Sequence, residues 1–380
     1  MTGRGERALP LEADVAIIGA GVVGLALAAE VAREGRRVLV LEKNRRFGEE
    51  TSSRNSQVIH AGIPYPPGSL KARLCVEGNA LLYQLCWKFG LPYARLGKLI
   101  VAAEEKEVPA LEDLHKRGQE NGVEGLRLLA AEELRRLEPH ISGVAALLSP
   151  ATGLLDVQAL MDHFAGRARE SGAWLRYQTR VTGIERVPGG YRVLIAEPPG
   201  PSSFTCRVVV NAAGLDSDQV ARLAGIDISA AGYELHFVKG EYFRVKGGNR
   251  GVKRLIYPLP APAASSLGVH LTPTLDGGLL VGPNNRPGRD YQVDEGQRES
   301  FFQAARRFLP SLSRDDLVPE MAGVRPSLNG LGFRDFIIRE EGDRGLPGLI
   351  NLIGIDSPGL TASPAIARYA GALVDRALRD

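Results

Sequence analysis

An α/β architecture in two parts, a mostly parallel sheet wound with helices and a mostly antiparallel sheet inserted into it, follows from three observations. Residues 14–42 spell a short apolar strand, a glycine turn, an Ala-rich helix and a second strand. Two later segments, 207–214 and 349–361, repeat the order of strand and small-residue turn, each leading into a helix. Between them, residues 233–281 carry short runs rich in Val, Tyr, Phe, Leu and Thr without helical spacing. A chain of 380 residues is long enough for such a two-domain plan.

Taken in order, Asp14 to Ile18 is the kind of apolar run a buried parallel strand needs, and it enters Gly19-Ala20-Gly21-Val22-Val23-Gly24 directly. A helix is expected over Leu25 to Glu34, ended by Gly35, with the second strand from Arg37 to Leu41 and Glu42 at its tip. In such a unit Gly19 permits the tight turn, Gly21 lets backbone approach a pyrophosphate, and Gly24 allows close helix packing. The helix N-terminus offers free N–H groups to phosphate. Glu42, 18 residues beyond Gly24, is placed to accept hydrogen bonds from ribose hydroxyls. This is a dinucleotide site on residue pattern and context together, since GxGxxG alone is common. The turns Asn211-Ala212-Ala213-Gly214 and Gly354 with Ser357-Pro358-Gly359-Leu360-Thr361 follow strands of the same sheet, and three such turns can converge on one cofactor at the strands' carboxyl ends. A long helix is expected near Thr361 to Leu378. Further helices are expected around Ala80 to Trp87, at Asp156 to Glu170 with Asp156 as N-cap, and at Gln297 to Phe308. Asp276-Gly277 marks a hairpin, and Glu197 to Ser203 reads as a loop.

Composition narrows the classes. Lys plus Arg (47) against Asp plus Glu (44) leaves +3, which predicts no nucleic-acid surface. Three cysteines, Cys75, Cys86 and Cys206, form no CxxC and read as buried thiols of a reducing compartment. No metal is expected from six scattered histidines. The first twelve residues are polar and expected to fray, with no apolar signal core, so the expectation is a cytoplasmic protein; peripheral membrane contact stays compatible with the charge.

The stretch from Thr51, TSSRNSQVIHAGIPYPPGSLKARLCVEGNALLYQLC, resembles the L-2-hydroxyglutarate dehydrogenase/oxidase family within the D-amino-acid-oxidase-like (DAO) FAD proteins. The resemblance continues through KLIVA at Lys98, LIYPLP, LGVHLTP, AGVRPSL and GIDSPGLTASPAIA. It implies a DAO-like fold with a discontinuous Rossmann-like FAD-binding domain (13–85, 150–228 and 322–380) and a substrate domain (86–149 and 229–321). It also implies FAD rather than NAD, with the helix after Ser357 directed at the flavin ring. By the same similarity Thr51, Ser52, Ser53, Asn55, Ser56 and Gln57 lie along the cofactor, with Lys43 and Val181 completing its surroundings.

For the chemistry, His60 in IHAG faces the flavin as ring-orienting group, base or covalent attachment point. His270 in LGVHLTP is a second base on a strand lining the substrate side. His115, His140 and His163 are expected at the surface. Arg325 in GVRP stands where the wider family places an arginine for the substrate carboxylate, a use that suits its planar fork. Lys239 in VKGEYF stands where hydroxyglutarate enzymes often carry Arg; it keeps the charge without the bidentate geometry. Tyr257 is a hydrogen-bond donor to substrate or a packing residue. The reaction implied is hydride transfer from a small L-2-hydroxy acid, L-2-hydroxyglutarate foremost. Two alternatives stay open: oxidation of a small amino acid or N-substituted glycine, and a flavin-binding subunit without turnover. Nothing in the sequence selects oxygen, a quinone or an electron-transfer protein as the final acceptor.

Overall fold

A computed structural model describes residues 13–260 and 268–379. The twelve amino-terminal residues, where fraying was expected, lie outside the described set. The first large sheet has a parallel centre formed by Leu346–Ile353, Gly200–Asn211, Ala13–Ile18, Val38–Leu41 and Trp174–Arg176, in that spatial order. Its register puts Ile18 beside Leu41 and Asn211, and Asn211 beside Asn351. The glycine turns therefore leave from one edge of the sheet. Helices Val22–Val31, Val157–Glu170 and Gly359–Ala377 cover one face, burying Leu25, Leu27, Phe164, Ile366 and Val374 against Val15, Val40 and Val210. The Asp156 carboxylate caps the second of these by accepting from the N–H groups of Gln158 and Ala159 at 2.9 and 3.0 Å.

The second sheet carries Leu235–Val245 at its centre, paired antiparallel with Leu317–Leu328 and Leu279–Gly282. It continues through His270–Pro273, Leu255–Pro258, Lys98–Ala102, Ala145–Ser149 and Arg127–Ala130. Only the pairing of Leu255–Pro258 with Lys98–Ala102 is parallel among those described. Asp276-Gly277 turns the hairpin between His270–Pro273 and Leu279–Gly282. Residues 322–328 belong to this sheet by hydrogen bonding, so the strand carrying Arg325 lies in the second sheet and not in the parallel one.

Several local expectations are corrected. The first helix runs Val22–Val31 and stops at an extended Ala32, with Gly35 lying in the turn beyond rather than at the cap. Glu197 to Ser203 is a hairpin and not a loop, because a twelve-residue strand begins at Gly200 and pairs back onto Gly190–Glu197. The helix expected around Ala80 starts at Leu70 and ends at Phe89, capped by Ser69. It buries Leu74, Cys75, Gly78, Leu82 and Cys86, leaving Trp87 81% exposed. At Gly78 it meets the carboxyl-terminal helix so closely that a Cβ would stand 2.2 Å from the Thr361 carbonyl oxygen. His115 and His163 are half-buried, the latter packed on Phe89 at 4.2 Å between ring centres, whereas His140 is exposed.

Candidate active site

At the edge of the parallel sheet the first two glycine turns touch. A Cβ on Gly19 would lie 2.5 Å from the Ala212 carbonyl oxygen and one on Gly24 2.0 Å from that of Gly19, so neither position accepts a side chain. Between the turns opens a cavity of about 260 Å³. It is lined by Gly19, Gly21, Glu42, Lys43, Thr51, Ser52, Val181, Ala212, Ala213 and Gly214. Glu42 is buried and its carboxylate accepts from the N–H groups of Ala20 and Asn44, both at 2.9 Å. Burial raises its pKa against the pull of those two bonds. Lys43 is less available than the sequence suggests. Its ammonium pairs with Asp216 at 2.5 Å and Glu50 at 2.9 Å, and these partners outweigh burial and hold it charged. Sequence reasoning missed Glu50 and Asp216, which lie 7 and 173 residues from Lys43 and follow no motif.

The loop after Glu50 leads away from this cavity toward the second sheet. Ser52 Oγ accepts the Val22 N–H at 3.0 Å, capping the first helix, while Thr51 Oγ1 donates to the Val324 carbonyl at 2.8 Å. Asn55 donates to the Ser52 carbonyl at 2.7 Å and accepts the Gln57 N–H at 2.9 Å. Ser53 is exposed. Ser56 hydrogen bonds with the Tyr242 hydroxyl, which also bonds Arg325. The third glycine turn does not line the 260 Å³ cavity; it arrives at the loop's far end. Thr361 Oγ1 accepts the His60 N–H at 2.9 Å and donates to the Val58 carbonyl at 3.2 Å, and Asn79 donates to the His60 carbonyl at 2.9 Å. Gly354 turns the chain at φ +69°, and Gly359 and Leu360 begin the long helix. Pro358 is buried and Ser357 exposed, its hydroxyl bonded to Tyr65.

Tyr257 stacks on His270, Lys98 stands over Tyr257 and acts on His60, and Tyr242 links Tyr257 to Arg325, whereas Lys239 pairs elsewhere. Arg325 Nη1 donates to Asn285 Oδ1 at 2.8 Å, and among the described residues no carboxylate pairs with it. Two positions along the strand, Ser327 Oγ donates to Asp356 at 2.9 Å, joining Arg325's strand to the third turn. Lys239 sits at the register position next to Val238, the residue facing Arg325, and so on the opposite face of its strand. There it pairs with Asp290 at 2.6 Å and Glu241 at 3.4 Å. Tyr257 and His270 lie on neighbouring strands with their rings stacked, 3.4 Å between centres and 14° between planes. The Lys98 ammonium stands 4.8 Å over the Tyr257 ring. His60 is held neutral, its pKa driven down to about 3 by burial and by the charge on Lys98. The Tyr257 hydroxyl stays protonated through burial.

The donor set fits an elongated dinucleotide. A carboxylate and a helix N-terminus stand at one end, a polar loop runs along the middle, and a second helix N-terminus with a histidine stands at the other. Comparison with known proteins agrees. The family profile described as FAD dependent oxidoreductase (DAO) matches residues 14–373. The mitochondrial L-2-hydroxyglutarate dehydrogenase of Arabidopsis thaliana is 37% identical over 97% of this chain and 85% of its own. The L-2-hydroxyglutarate dehydrogenase of Indibacter alkaliphilus is 30% identical over 94% and 97%. Among solved structures, the FAD-bound, dithionite-reduced L-α-glycerophosphate oxidase of Mycoplasma pneumoniae superposes with a TM-score of 0.86 at 32% identity, covering 96% of this chain and 94% of that one. Glycine oxidase from Bacillus cereus gives 0.79 at 26%, covering 96% and 95%. Several relatives bear a mitochondrial designation, which the cytoplasmic expectation did not include. Among the described residues no helix is long and apolar enough to cross a membrane. The cofactor is FAD, and the chain belongs to the DAO family of FAD-dependent oxidoreductases.

Proposed function

We propose that this enzyme oxidises L-2-hydroxyglutarate to 2-oxoglutarate, with FAD as the immediate electron acceptor. The observation that carries the reading is Arg325, a guanidinium held by Asn285 and Tyr242 but paired with no carboxylate among the described residues, beside the loop that ends at His60. The similarity to L-2-hydroxyglutarate dehydrogenases supports it. In this reading Arg325 takes the C1 carboxylate through two parallel hydrogen bonds and orients C2. Bound flavin supplies the two-electron acceptor for the C2 hydrogen. His60, neutral and anchored through its backbone by Thr361 and Asn79, accepts the hydroxyl proton. His270 packs flat on Tyr257 and serves as a wall of the substrate side. Three buried, free thiols fit a reducing compartment, and we place the enzyme in the cytoplasm; cell fractionation checks this.

The test is anaerobic bleaching of the purified yellow protein by L-2-hydroxyglutarate, L-lactate, L-α-glycerophosphate and glycine. Bleaching by L-2-hydroxyglutarate, with stoichiometric 2-oxoglutarate, is expected. Bleaching by glycine alone would move the enzyme to amine oxidation. A flavin that none of the acids reduces would leave a binding subunit.

A further inference from the structure

Lys98 is the buried cation near the site that the mechanism leaves unused. It is 3% exposed and belongs to the strand Lys98–Ala102, between Leu255–Pro258 and Ala145–Ser149. Among the described residues no Asp or Glu lies within ion-pairing distance of its ammonium, although Lys71, Lys239 and Lys43 all have carboxylate partners. Its surroundings are the Tyr257 ring, 4.8 Å away, with His60 and Cys75 near enough to feel its charge. Burying an ammonium without an anion is costly, and a π-face offsets only part of that cost. Such a group persists where an anion arrives from outside.

We propose that Lys98 takes the second carboxylate of the substrate, making the site selective for dicarboxylic 2-hydroxy acids. This rests on the hydroxyglutarate reading above and deepens it. Arg325 and Lys98 bracket a run of two tyrosines: Arg325 bonds the Tyr242 hydroxyl, Tyr242 lies close enough to Tyr257 to interact with it, and Lys98 stands over the Tyr257 ring. One carboxylate at each cation leaves C2 beside the His60 loop. Lys239, which the sequence offered for a second charge, is neutralised on the other face of its strand. Burial also brings Lys98 down to about 8, and an incoming carboxylate would hold the ammonium charged and offset the field it places on His60.

Calorimetric titration of the flavin-loaded protein with glutarate, and with valerate as the same carbon chain lacking one carboxylate, reads the subsite without turnover. The wild type is expected to bind glutarate at least tenfold more tightly than valerate. In Lys98→Met the ratio falls to near one, while Lys98→Arg keeps a preference. Equal affinities in the wild type, or a preference undiminished in Lys98→Met, would overturn the proposal. Should Lys98→Met fail to fold, Lys98→Gln is titrated in its place under the same criterion. A Lys98-dependent glutarate preference in a protein that does not oxidise L-2-hydroxyglutarate would retain the subsite and reject the assigned reaction.

Discussion

Replacing Arg325 by lysine isolates the guanidinium fork from its charge. The side chain is half-buried on an interior register of Leu317–Leu328, held by Asn285 at 2.8 Å and by the Tyr242 hydroxyl. Lysine in that place can reach a carboxylate with a point charge but cannot make two parallel bonds. The loss is one charge-assisted hydrogen bond, about 1.5–3 kcal/mol, or roughly a 10- to 150-fold fall in kcat/KM. Losing the charge-assisted bond to Asn285 costs about 1.5–3 kcal/mol of stability, which leaves the fold intact. FAD content is expected to stay at wild-type level, because the cavity between Glu42, Gly19 and Ala213 does not include Arg325. Rapid mixing under nitrogen, following flavin absorbance against L-2-hydroxyglutarate concentration, separates the binding step from reduction. Flavin released by denaturation gives the content. An unchanged kcat/KM for every carboxylate, or a fall that tracks lost FAD, would refute the assignment.

Three further outcomes are expected. Glu42→Ala leaves the Ala20 and Asn44 N–H groups without their acceptor at about 1–3 kcal/mol for each that stays buried, and it should lower both Tm and retained FAD. Glu341 is fully buried and accepts from Tyr233 at 2.5 Å, Arg344 at 2.5 Å and Asn351 at 2.9 Å, so Glu341→Ala should cost about 3–5 kcal/mol in urea unfolding. His60, with its folded pKa near 3 against 6.5 in the unfolded chain, binds a proton more readily unfolded. Its contribution to stability is therefore complete above pH 6.5 and is lost as pH falls toward 3, at no more than about 1.4 kcal/mol per pH unit. His60→Asn should show a shallower loss between pH 7 and 5 than the wild type; identical slopes would place that titration elsewhere.

The local βαβ unit was readable because its signals are short-range. A glycine at φ +104°, a helix that begins within three residues of it, and an acidic strand tip all follow from neighbours in the chain. The same holds for the Asp156 cap and the Asp276-Gly277 hairpin. The resemblance carried the cofactor, and it pointed to the candidate site through strings around Ser52, His60, Arg325 and Thr361. Helix ends were less legible: Gly35 marks a turn four residues beyond the last helical residue, Val31.

What the order of residues determined by itself was the parallel sheet with its glycine turns, and the residue types that the proposed reading assigns to cofactor and carboxylate. Only the tertiary structure decided which cations are spent. Lys239 and Lys43 read as site charges until Asp290, Glu241, Glu50 and Asp216 come within hydrogen-bonding reach, whereas Lys98 sat unremarked in an ordinary strand pattern. The physical reason is that a charge's role depends on its neighbours within a few ångströms and on the water it loses. Strand register sets both, and no spacing along the chain encodes them.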